Sequence, residues 1–561
     1  MFDKLLIANR GEIAVRIART CREMGIRSVA VCSDADTEAL HAAVADEVVA
    51  LPGKAPSETY ASIPALVAAA RASGAGAVHP GYGFVAESPE FARAVEAAGL
   101  VWVGPPVQAL FAAGDKIRAR TLAAEAGVPV VPGLTEAVSN AAQVTSWAHA
   151  NGYPIALKAA GGGGGRGLKV AHAADEVGPA LEAARREAQA YFGSAEIYVE
   201  AYLADPRHLE VQVLATAPGD ALALGVRDCS LQRRHQKLIE ETPPARGAPL
   251  EEMESAAVTI ARACGYVGAG TVEMLVDAAG DFYFLEINAR LQVEHTVTEE
   301  VFGLDLVSGQ LRIAAGEPLE PITSPRGHSI ECRINAEDPR RAFAPAPGVL
   351  ERYVEPGGPG VRVDSGYRQG DAVPGDYDSL VAKLVVWAPT RAQARVRMLR
   401  ALDEFTVAGV PTTISALRLL LESEEFRSGD HTTRTVEGSG VLDALTGGPD
   451  ASPRTPGAAR DHGLASGLWN PALAGAELAA SGGGVAGQVA APISGTVLDV
   501  YVEIGDAVEA GAPLAVIEAM KMETTVEAPC AGVVAATGVT TGEVVSAGRL
   551  VARIEPVPSG Q

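Results

Sequence analysis

The chain has 561 residues, enough for roughly three or four domains at about 150 residues each. Its 69 acidic and 46 basic side chains give a net charge of −23, which argues against nucleic-acid binding and against a polybasic membrane-binding protein. No apolar stretch of about 18 residues predicts a membrane span. The amino terminus runs directly into a predicted strand, and the six cysteines form no CxxC pair. We therefore expect a cytoplasmic protein with reduced thiols.

The first hundred residues alternate predicted strands and helices. Leu5–Asn9 and Ser28–Cys32 are predicted strands, and Gly11–Met24 carries apolar residues at helical spacing between them. This βαβ pattern predicts a parallel sheet with helices on its faces. From about Asp115 onward, proline-bounded segments, a glycine run and strands joined by short turns predict an α+β domain.

A five-glycine run follows Lys158 at positions 161–165. It contains a formal GxGxxG, but a strand rather than a helix follows, and no GK[ST] is present, which argues against dinucleotide-binding and Walker loops. We predict a hairpin flap whose N–H groups close over phosphates, with Lys158 and Arg166 beside it. A plain flexible linker is the alternative. A second cationic cluster spans 227–237, for which a solvated surface turn is the alternative.

Two further predicted strands, Thr271–Val276 and Phe282–Asn288, are joined by a short turn. Pairing Val276 with Tyr283 sets Glu273 opposite Glu286, which is unfavourable unless a cation lies between the carboxylates. Hard oxygen ligands of this kind fit Mg²⁺ or Mn²⁺. We expect the extended run to continue with a period of two, and one face then carries Glu286, Asn288, Arg290, Gln292 and Glu294. The alternative is an amphipathic strand with its polar face in water.

Residues 446–484 differ from the rest, since 25 of these 39 residues are Gly, Pro, Ala or Ser. We predict a flexible tether. Beyond it, the pattern APxxGxV at 491–497 recurs at 528–534, an offset of 37 residues that other positions share. Two short β-rich copies predict a pseudo-two-fold sandwich of antiparallel strands. The tight connection between the copies presents Lys521 at an exposed tip.

Lys521 is flanked by two of the seven methionines, which suits a surface read by another protein, although an ordinary solvated lysine is the alternative. The sequence Glu-Ala-Met-Lys-Met at 518–522 resembles the signature of the biotinyl carrier family. The resemblance covers about residues 485–557. It implies that Lys521 carries biotin through an amide, attached by a separate biotin protein ligase.

Residues 1–445 resemble the biotin carboxylase family within the ATP-grasp superfamily. The resemblance rests on IANRGEIA at 7–14, HPGYGF at 79–84, Lys158 with the glycine run, RDCS at 227–230, QVEH at 292–295 and ECRINAED at 331–338. It implies a fold class of α/β and α+β with five parts. These are a Rossmann-like domain (1–114), an ATP-grasp domain (115–330) with a mobile lid (about 132–203), an α+β C-terminal domain (331–445), the linker (446–484) and a barrel-like β-sandwich biotinyl domain (485–557).

The resemblance also implies the chemistry, in which ATP, Mg²⁺ or Mn²⁺ and bicarbonate form carboxyphosphate and biotin captures its CO₂. The residues that it implies for binding the ATP phosphates are Lys116, Lys158, Gly163, Gly164, Gly165 and His208. Those that it implies near the nucleoside are Glu200, Leu203 and Gln232. It assigns the metal to Glu273 and Glu286 with Asn288 close by, and the anionic intermediate to His235 and Lys237. It assigns bicarbonate to Arg290, Gln292 and the Val293 backbone, with Glu294 as general base. Arg333 would stabilise the biotin oxyanion, and Tyr82 and Asp378 would contact biotin.

The remaining expectation concerns partners. A carboxyltransferase needs hundreds of residues, and the regions above leave no room for one. We therefore expect this chain to be the alpha subunit of an acyl-CoA carboxylase of fatty acid biosynthesis. A separate carboxyltransferase beta subunit would act on acetyl-CoA or propionyl-CoA, and the carboxylase domains would pair as homodimers. The alternatives are a subunit of a pyruvate, urea or methylcrotonyl-CoA carboxylase, or a carrier scaffold with a silent ATP site. An ATP-grasp amide or thioester ligase is disfavoured because such an enzyme needs no biotinyl arm.

Overall fold

The computed structural model describes residues 1–134, 136–159, 168–192, 194–234, 236–438, 440, 444–445, 488–491, 495–519, 522–545 and 549–556. They form two compact units. The larger unit comprises 1–342, 346–374 and 380–442, and the smaller one comprises 343–345, 375–379 and the described residues from 444 onward. Within the described ranges, no helix is long and apolar enough to cross a membrane.

The amino-terminal region forms a five-stranded sheet in the order β3-β2-β1-β4-β5, and its strands are parallel, as predicted. Its elements are β1 (Lys4–Ile7), α1 (Gly11–Glu23), β2 (Arg27–Ser33), α2 (Leu40–Val44), β3 (Glu47–Leu51), α3 (Ile63–Ser73), β4 (Ala77–His79), α4 (Pro89–Ala97) and β5 (Val101–Trp102). The loops after β1 and β4 meet because parallel neighbours end at the same sheet edge. Asn9 Nδ2 donates to the carbonyl oxygens of Pro80 and Tyr82, both at 2.7 Å.

The central region contains a small antiparallel sheet in the order β7-β6-β8 and most of a larger sheet. Its elements are α5 (Val107–Gly114), α6 (Lys116–Glu125), α7 (Ala141–Asn151), β6 (Ile155–Ala159), β7 (Leu168–Ala171), α8 (Val177–Phe192), β8 (Ile197–Ala201), β9 (Arg207–Ala217), β10 (Asp220–Arg233), β11 (Gln236–Thr242), α9 (Leu250–Ala263), β12 (Gly268–Val276), β13 (Phe282–Asn288), α10 (His295–Phe302) and α11 (Leu306–Ala314). The predicted pairing of the strands that flank the glycine run is confirmed, with Lys158 opposite Leu168.

The carboxyl-terminal region completes the large sheet. Its elements are β14 (His328–Asn335), β15 (Glu337–Asp338), β16 (Ala344–Pro345), β17 (Gly348–Val349), β18 (Arg352–Val354), β19 (Val361–Ser365), β20 (Ala372–Val373), β21 (Leu380–Ala388), α12 (Arg391–Glu404), β22 (Thr406–Ala408), α13 (Ile414–Glu422), α14 (Glu424–Ser428) and α15 (Thr435–Gly438). The large sheet has the order β13-β12-β9-β10-β11-β14-β21-β19, with every neighbouring pair antiparallel. Polar residues far apart in the chain therefore share one sheet face.

The last region is a sandwich of two four-stranded sheets, β23-β30-β28-β25 and β27-β26-β24-β29. Its strands are β23 (Gln488–Ala490), β24 (Gly495–Val500), β25 (Ala507–Val508), β26 (Pro513–Ala519), β27 (Met522–Glu527), β28 (Gly532–Thr537), β29 (Val544–Val545) and β30 (Leu550–Pro556). A shift of 37 residues relates each strand of the first copy (β23–β26) to a strand of the second copy (β27–β30). Equivalent strands lie in opposite sheets, so each sheet contains two strands from each copy. The predicted pseudo-two-fold antiparallel arrangement is confirmed.

Backbone contacts repeat with the same offset. Gly505 N–H donates to the Val534 carbonyl at 2.8 Å, and Gly542 N–H donates to the Val497 carbonyl at 2.7 Å. The core between the sheets is aliphatic and consists of matched pairs such as Val497 with Val534 and Ile517 with Ile554. The recurring residues noted in the sequence are thus the core and the turns of the sandwich.

The glycine of each APxxGxV copy lies where a side chain has no space. A Cβ atom on Gly495 would lie 2.1 Å from the Glu518 carbonyl oxygen, and one on Gly532 would lie 2.4 Å from the Glu555 carbonyl oxygen. Both obstacles are backbone atoms of a neighbouring strand, which cannot rotate away as a side chain can. The repeat therefore requires glycine at both positions for close strand approach.

Candidate active site

The β12–β13 hairpin places two acidic residues side by side. Glu273 pairs directly with Glu286, and Thr271 pairs with Asn288 at the end of β13. The predicted opposition of the two glutamates is therefore confirmed. Because like charges face each other across this ladder, the position is unfavourable without compensating cations.

The hairpin reaches this pairing by a different register from the predicted one. Near the turn, Val276 pairs with Phe282 rather than with Tyr283, and Leu285 is then skipped as a bulge in β13. The neighbouring Phe284 donates its N–H to the Pro129 carbonyl at 2.8 Å, which ties β13 to a second segment at the bulge. The extra residue restores the glutamate pair, as β-bulges near active sites often re-aim side chains.

The predicted extended run beyond Asn288 is wrong. Strand β13 ends there, and Glu294 is the residue immediately before helix α10. The Ala289 N–H bonds to the Glu87 carboxylate at 3.0 Å rather than to a strand partner. The Gln292 carbonyl accepts the N–H of His295 at 3.4 Å, so the chain turns into the helix.

The side chains of this irregular segment converge nonetheless. Arg290 donates to Gln292 Oε1 at 3.0 Å and to Asn288 Oδ1 at 3.2 Å. Gln292 Nε2 lies 3.5 Å from Glu273 Oε1, which connects the segment to the hairpin. The site therefore presents a guanidinium and an amide beside a carboxylate, a donor set suited to a small oxyanion.

Lys237 on β11 links three carboxylates. Its Nζ lies 2.6 Å from Glu210, 3.0 Å from Glu273 and 2.6 Å from Glu294. Burial lowers the pKa of Lys237, but the opposing effect of Cys229 and the three carboxylates is larger. The pKa of Lys237 therefore lies well above its ordinary value. The ammonium group is therefore charged at neutral pH.

Glu294 is fully buried at the centre of the cluster. Its second oxygen, Oε2, accepts a hydrogen bond from Arg333 on β14 at 2.9 Å. Burial raises the pKa of Glu294, yet Lys237, Arg333 and Arg227 together hold it well below its usual range. Glu294 is therefore an ionised carboxylate enclosed by cations, in the state needed to accept a proton.

Arg333 is shared between two acids. Its Nε donates to Glu240 Oε1 at 2.6 Å, while its NH2 group bonds to Glu294. Burial and the nearby Glu294 charge raise the pKa of Glu240 to about 7, although Arg333 opposes that shift. The guanidinium is thus held between the ionised carboxylate of Glu294 and that of Glu240, whose pKa is raised to about 7.

A second polar group lies around Glu200 on β8. Both Lys158 and Arg120 form ion pairs with its carboxylate. His208 on β9 lies 3.0 Å from Glu273, and although burial lowers its pKa, that carboxylate gives a net rise. Gln232 is buried on β10 and pairs with Lys237 on β11, and Leu203 lies half-buried just after β8. The structure thus groups Lys158 with Glu200, and His208 with Glu273.

The other predicted residues divide into two sets. Lys116 begins α6, the Tyr82 hydroxyl donates to Glu12, and Asp378 lies between β20 and β21. The remaining ones lie outside the described residues, namely Gly163, Gly164, Gly165, His235 and Lys521.

Comparisons with known proteins assign the regions. Family models match the biotin carboxylase N-terminal domain at 1–110, the ATP-binding domain of carbamoyl-phosphate synthase L chains at 115–322, the biotin carboxylase C-terminal domain at 331–438, and the biotin-requiring enzyme family at 487–554. The biotin-dependent acyl-coenzyme A carboxylase alpha3 subunit of Mycobacterium leprae is 43% identical, over 94% of each chain. The chain belongs to the biotin carboxylase family.

Two further similarities concern the carboxylase region. A pyruvate carboxylase subunit of Methanothermobacter thermautotrophicus is 47% identical over 78% of this chain and 90% of its own length. The biotin carboxylase domain dimer of Hydrogenobacter thermophilus 2-oxoglutarate carboxylase, solved with MgADP, ADP and bicarbonate, is 43% identical with a TM-score of 0.75, over 79% and 99% of the two chains. The carboxylase therefore combines an ATP-grasp biotin carboxylase with a biotinyl domain.

Arg227 makes buried contacts in the carboxylase region that the sequence did not reveal. It belongs to the 227–237 cationic cluster, but it is fully buried, so a solvated surface turn is wrong for this residue. It donates to Glu210 at 2.6 Å, Gln212 at 2.7 Å and Thr271 at 3.0 Å. The only available signal was that Glu210 and Gln212 alternate with apolar residues in a long strand, which also suits a strand with one face in water.

Sequence reasoning also missed acids and bases that support the site. Glu87 binds both the Ala289 N–H and Arg290, with its Oε2 3.2 Å from Arg290 Nε. Glu240 holds Arg333, and Arg120 holds Glu200. Glu87 follows the HPGYGF motif closely, but nothing local links it to a residue 202 positions away.

Proposed function

We propose that this chain carboxylates biotin carried on its own Lys521, using ATP and bicarbonate, as the alpha subunit of an acyl-CoA carboxylase. The observation that carries this proposal is the buried Glu294 carboxylate, ionised between Lys237 and Arg333 and adjacent to the Arg290–Gln292 donor pair. A base, an oxyanion pocket and a stabilising cation are the parts that such a reaction needs.

Bicarbonate would bind to Arg290, Gln292 and the backbone at Val293. In this proposal Glu294 accepts the bicarbonate proton, an oxygen of bicarbonate attacks the γ-phosphorus of ATP, and the bond to the β-phosphate oxygen breaks so that ADP leaves. Lys237 would pass from its carboxylate partners to the negative charge of the carboxyphosphate formed. Arg333 would then face the ureido oxygen of biotin, where positive charge favours the enolate-like form.

The nucleotide assignments follow the same reasoning. Lys116, Lys158, His208 and the glycines 163–165 supply positive charge and N–H groups for phosphates, and phosphoryl transfer depends mainly on such neutralisation and alignment. Glu200, Leu203 and Gln232 would contact the nucleoside, and His235 would assist Lys237. Tyr82 and Asp378 would contact biotin.

A divalent cation fits the hairpin acids. Glu273 and Glu286 pair directly, and the carbonyl-type oxygen Oδ1 of Asn288, two residues further on, accepts a hydrogen bond from Arg290 at 3.2 Å. Hard carboxylate oxygens are suitable for Mg²⁺ or Mn²⁺, which would neutralise nucleotide phosphates when bound. Glu273 is at present paired with His208 and Lys237, so these side chains would exchange partners when the metal and the nucleotide bind.

The assignment to an acyl-CoA carboxylase rests on domain content. The similarity to the acyl-CoA carboxylase alpha3 subunit covers 94% of this chain and includes the biotinyl region, whereas that to the Methanothermobacter pyruvate carboxylase subunit covers 78%. We propose a biotin protein ligase that loads Lys521, paired carboxylase domains, and a separate carboxyltransferase beta subunit. The proposed divisions are 1–114, 115–330 with a lid at about 132–203, 331–445, the linker 446–484, and 485–557.

The deciding experiment uses the full biotinylated chain with ATP, Mg²⁺ and labelled bicarbonate, and Lys521→Arg as the matched control. We expect acid-labile label on the parent protein and none on the variant, which keeps the charge but loses the attachment. Label on the variant would refute Lys521 as the acceptor. Avidin-reactive parent protein without label would refute the carboxylase proposal and favour a carrier scaffold with a silent ATP site.

A second experiment addresses the acceptor. The labelled chain is incubated with candidate beta subunits and with acetyl-CoA, propionyl-CoA, methylcrotonyl-CoA, pyruvate or urea. We expect transfer to acetyl-CoA or propionyl-CoA. Transfer to pyruvate or urea alone would contradict the acyl-CoA assignment while leaving biotin carboxylation intact.

A further inference from the structure

The backbone at Val293 is fixed on both sides by buried side chains. Lys383 Nζ on β21 donates to the Val293 carbonyl at 2.9 Å. His295 Nδ1 lies 2.8 Å from the Gln292 carbonyl, which precedes Val293. A carbonyl oxygen accepts only, so His295 Nδ1 carries a proton. Because burial lowers the pKa of His295 well below its ordinary value, the ring is neutral.

These two contacts determine where the backbone N–H groups point. A peptide unit is planar, so fixing a carbonyl also fixes the N–H of the next residue. The Gln292 carbonyl sets the Val293 N–H, and the Val293 carbonyl sets the Glu294 N–H. Both peptide planes beside the proposed bicarbonate position are therefore restrained by side chains that need not touch the substrate.

Lys383 acts together with its neighbour in the sheet. It pairs directly with Arg333 across β14 and β21, and it is fully buried. Arg333 on β14 holds the side-chain carboxylate of Glu294, and Lys383 on the adjacent β21 holds the backbone carbonyl of the preceding residue, Val293.

The Lys383 ammonium group has carboxylate partners outside the active-site cluster, namely Glu12 and, at 4.0 Å, Asp364. Glu12 Oε1 lies 3.1 Å from Lys383 Nζ, and the Tyr82 hydroxyl donates to the same carboxylate. Close packing holds Glu12 in place, since a Cβ atom on Gly366 would lie 2.7 Å from the Glu12 backbone nitrogen. The charge of Lys383 is thus compensated without using an acid of the active-site cluster.

We propose that Lys383 and His295 are positioning residues that fix the two peptide planes at Val293 and so set the geometry of bicarbonate binding. This inference rests on the proposed function, because it presumes that bicarbonate binds at Val293. Neither residue is a catalytic residue here, since each acts through the backbone. A small displacement of such backbone groups costs up to about a hundredfold in rate, because the reacting atoms must be aligned.

The test compares Lys383→Met with a matched control, Lys4→Met, in the full biotinylated chain. Lys4 makes the same kinds of contact away from the site, donating to the Ser73 carbonyl at 2.8 Å and pairing with Glu47 at 2.6 Å. We expect Lys383→Met to raise the KM for bicarbonate by roughly 10- to 100-fold, with the KM for ATP unchanged. Lys4→Met should leave both values unchanged.

Two further variants protect the test against misfolding. Lys383→Met removes the cation that pairs with the buried Glu12, so the double variant Lys383→Met/Glu12→Gln also removes the carboxylate charge and should show the same bicarbonate defect. At His295, His295→Asn keeps a donor near the position of Nδ1, whereas His295→Leu does not. We expect His295→Asn to retain a bicarbonate KM closer to that of the parent than His295→Leu does.

The outcomes separate the inference from the proposed function. A parent chain without bicarbonate-dependent ATP cleavage refutes the function itself. An active parent whose folded Lys383 variants keep the parental bicarbonate KM refutes positioning by Lys383. If neither Lys383 variant folds, the His295 pair decides, and equal bicarbonate KM values for His295→Asn and His295→Leu overturn the inference.

Discussion

The carboxylase site and the biotinyl sandwich are stabilised by opposite means. At the site, Glu210, Arg227 and Glu294 are completely buried; Lys237 donates to both carboxylates, and Arg227 donates to Glu210. In the sandwich, the buried residues are aliphatic, and no polar side chain is buried among the residues of that region that the structure describes.

The difference follows from what each region has to do. Burying charges costs free energy that well-packed apolar residues would not, so a buried ionic cluster is weak evidence for stability. In the proposed reaction such charges are needed, because a base, an anion pocket and a stabilising cation must stay close together in a dry environment. The function proposed for the biotinyl domain depends on a single reactive side chain, so its core needs no charged residues.

The largest expected effect separates chemistry from stability at the site. Glu294→Gln keeps the shape but removes the proton acceptor, and we expect bicarbonate-dependent ATP cleavage to fall by about 10²- to 10⁴-fold, in the range attributed to general bases. Steady-state phosphate release with and without bicarbonate measures the effect. Nucleotide binding should be retained, because Glu294 contacts none of the residues assigned to the nucleoside.

The matched control for this change is Glu286→Gln, which alters another acid of the same site. It should weaken the dependence on the divalent cation rather than remove the bicarbonate response. Retained turnover in Glu294→Gln would exclude that residue as the base.

A second prediction concerns the neutral region. Gly495→Ala and Gly532→Ala each place a methyl group against a backbone carbonyl of the neighbouring strand. We expect each to lower the free energy of unfolding of the sandwich by about 2 kcal/mol, as overpacking does. The two values should agree closely because the positions are equivalent by pseudo-symmetry. Thermal unfolding of the full chain measures the loss of stability. A lower yield of avidin-reactive protein after biotinylation provides a second readout of a destabilised sandwich.

Val533→Ala is the control for this pair, since its side chain is 40% exposed and lies next to Gly532. Its stability should stay near that of the parent. A marked difference between Gly495→Ala and Gly532→Ala would show that the two halves do not share the packing that the repeat implies.

A third prediction concerns the pH dependence of stability in the charged region. His431 is buried, 3.3 Å from Asp228 and 3.8 Å from Glu241, and those acids also bind Arg207, His328 and Arg391. Burial and Arg207 lower the pKa of His431, but the two carboxylates raise it above its ordinary value of 6.5. The stabilisation is therefore fully present below pH 6.5 and is lost as pH rises through the folded-state pKa.

We accordingly expect His431→Asn to lower the free energy of unfolding by about 2 kcal/mol near pH 6, the size of a hydrogen bond to a charged group, and by less near pH 9. Thermal unfolding of both proteins at the two pH values provides the measurement. His172→Asn alters an exposed histidine and should give no such pH-dependent difference. An equal loss at the two pH values for His431→Asn would contradict the ion-pair interpretation.

Much of the fold was predictable because it depends on local patterns. The apolar runs of β1 and β2, the helical spacing of α1 and the 37-residue repeat all correspond to observed elements. The opposition of Glu273 and Glu286 was also predictable, although a bulge at Leu285 rather than a regular hairpin produces it. Period and repeat are properties of the sequence itself, so they are visible before folding.

The rest depends on tertiary contacts. Alternating polar residues after Asn288 predicted a strand, but Glu87 binds the Ala289 N–H and His295 binds the Gln292 carbonyl, which turns the chain instead. Lys383 lies in an apolar strand, and its partners Glu12 and Val293 are far away in the sequence. No local pattern contains such pairs, so only the assembled sheet reveals them.

The interleaved strands of the sandwich also constrain events in time. The last strand, β30, lies between β23 and β28, so one sheet has a gap until the end of the domain has been synthesised. Lys521 leaves the ribosome first, and at about 5–20 residues per second the missing strand follows within a few seconds. The proposed biotin protein ligase, if it recognises the folded domain, would therefore act only after translation of the domain is finished.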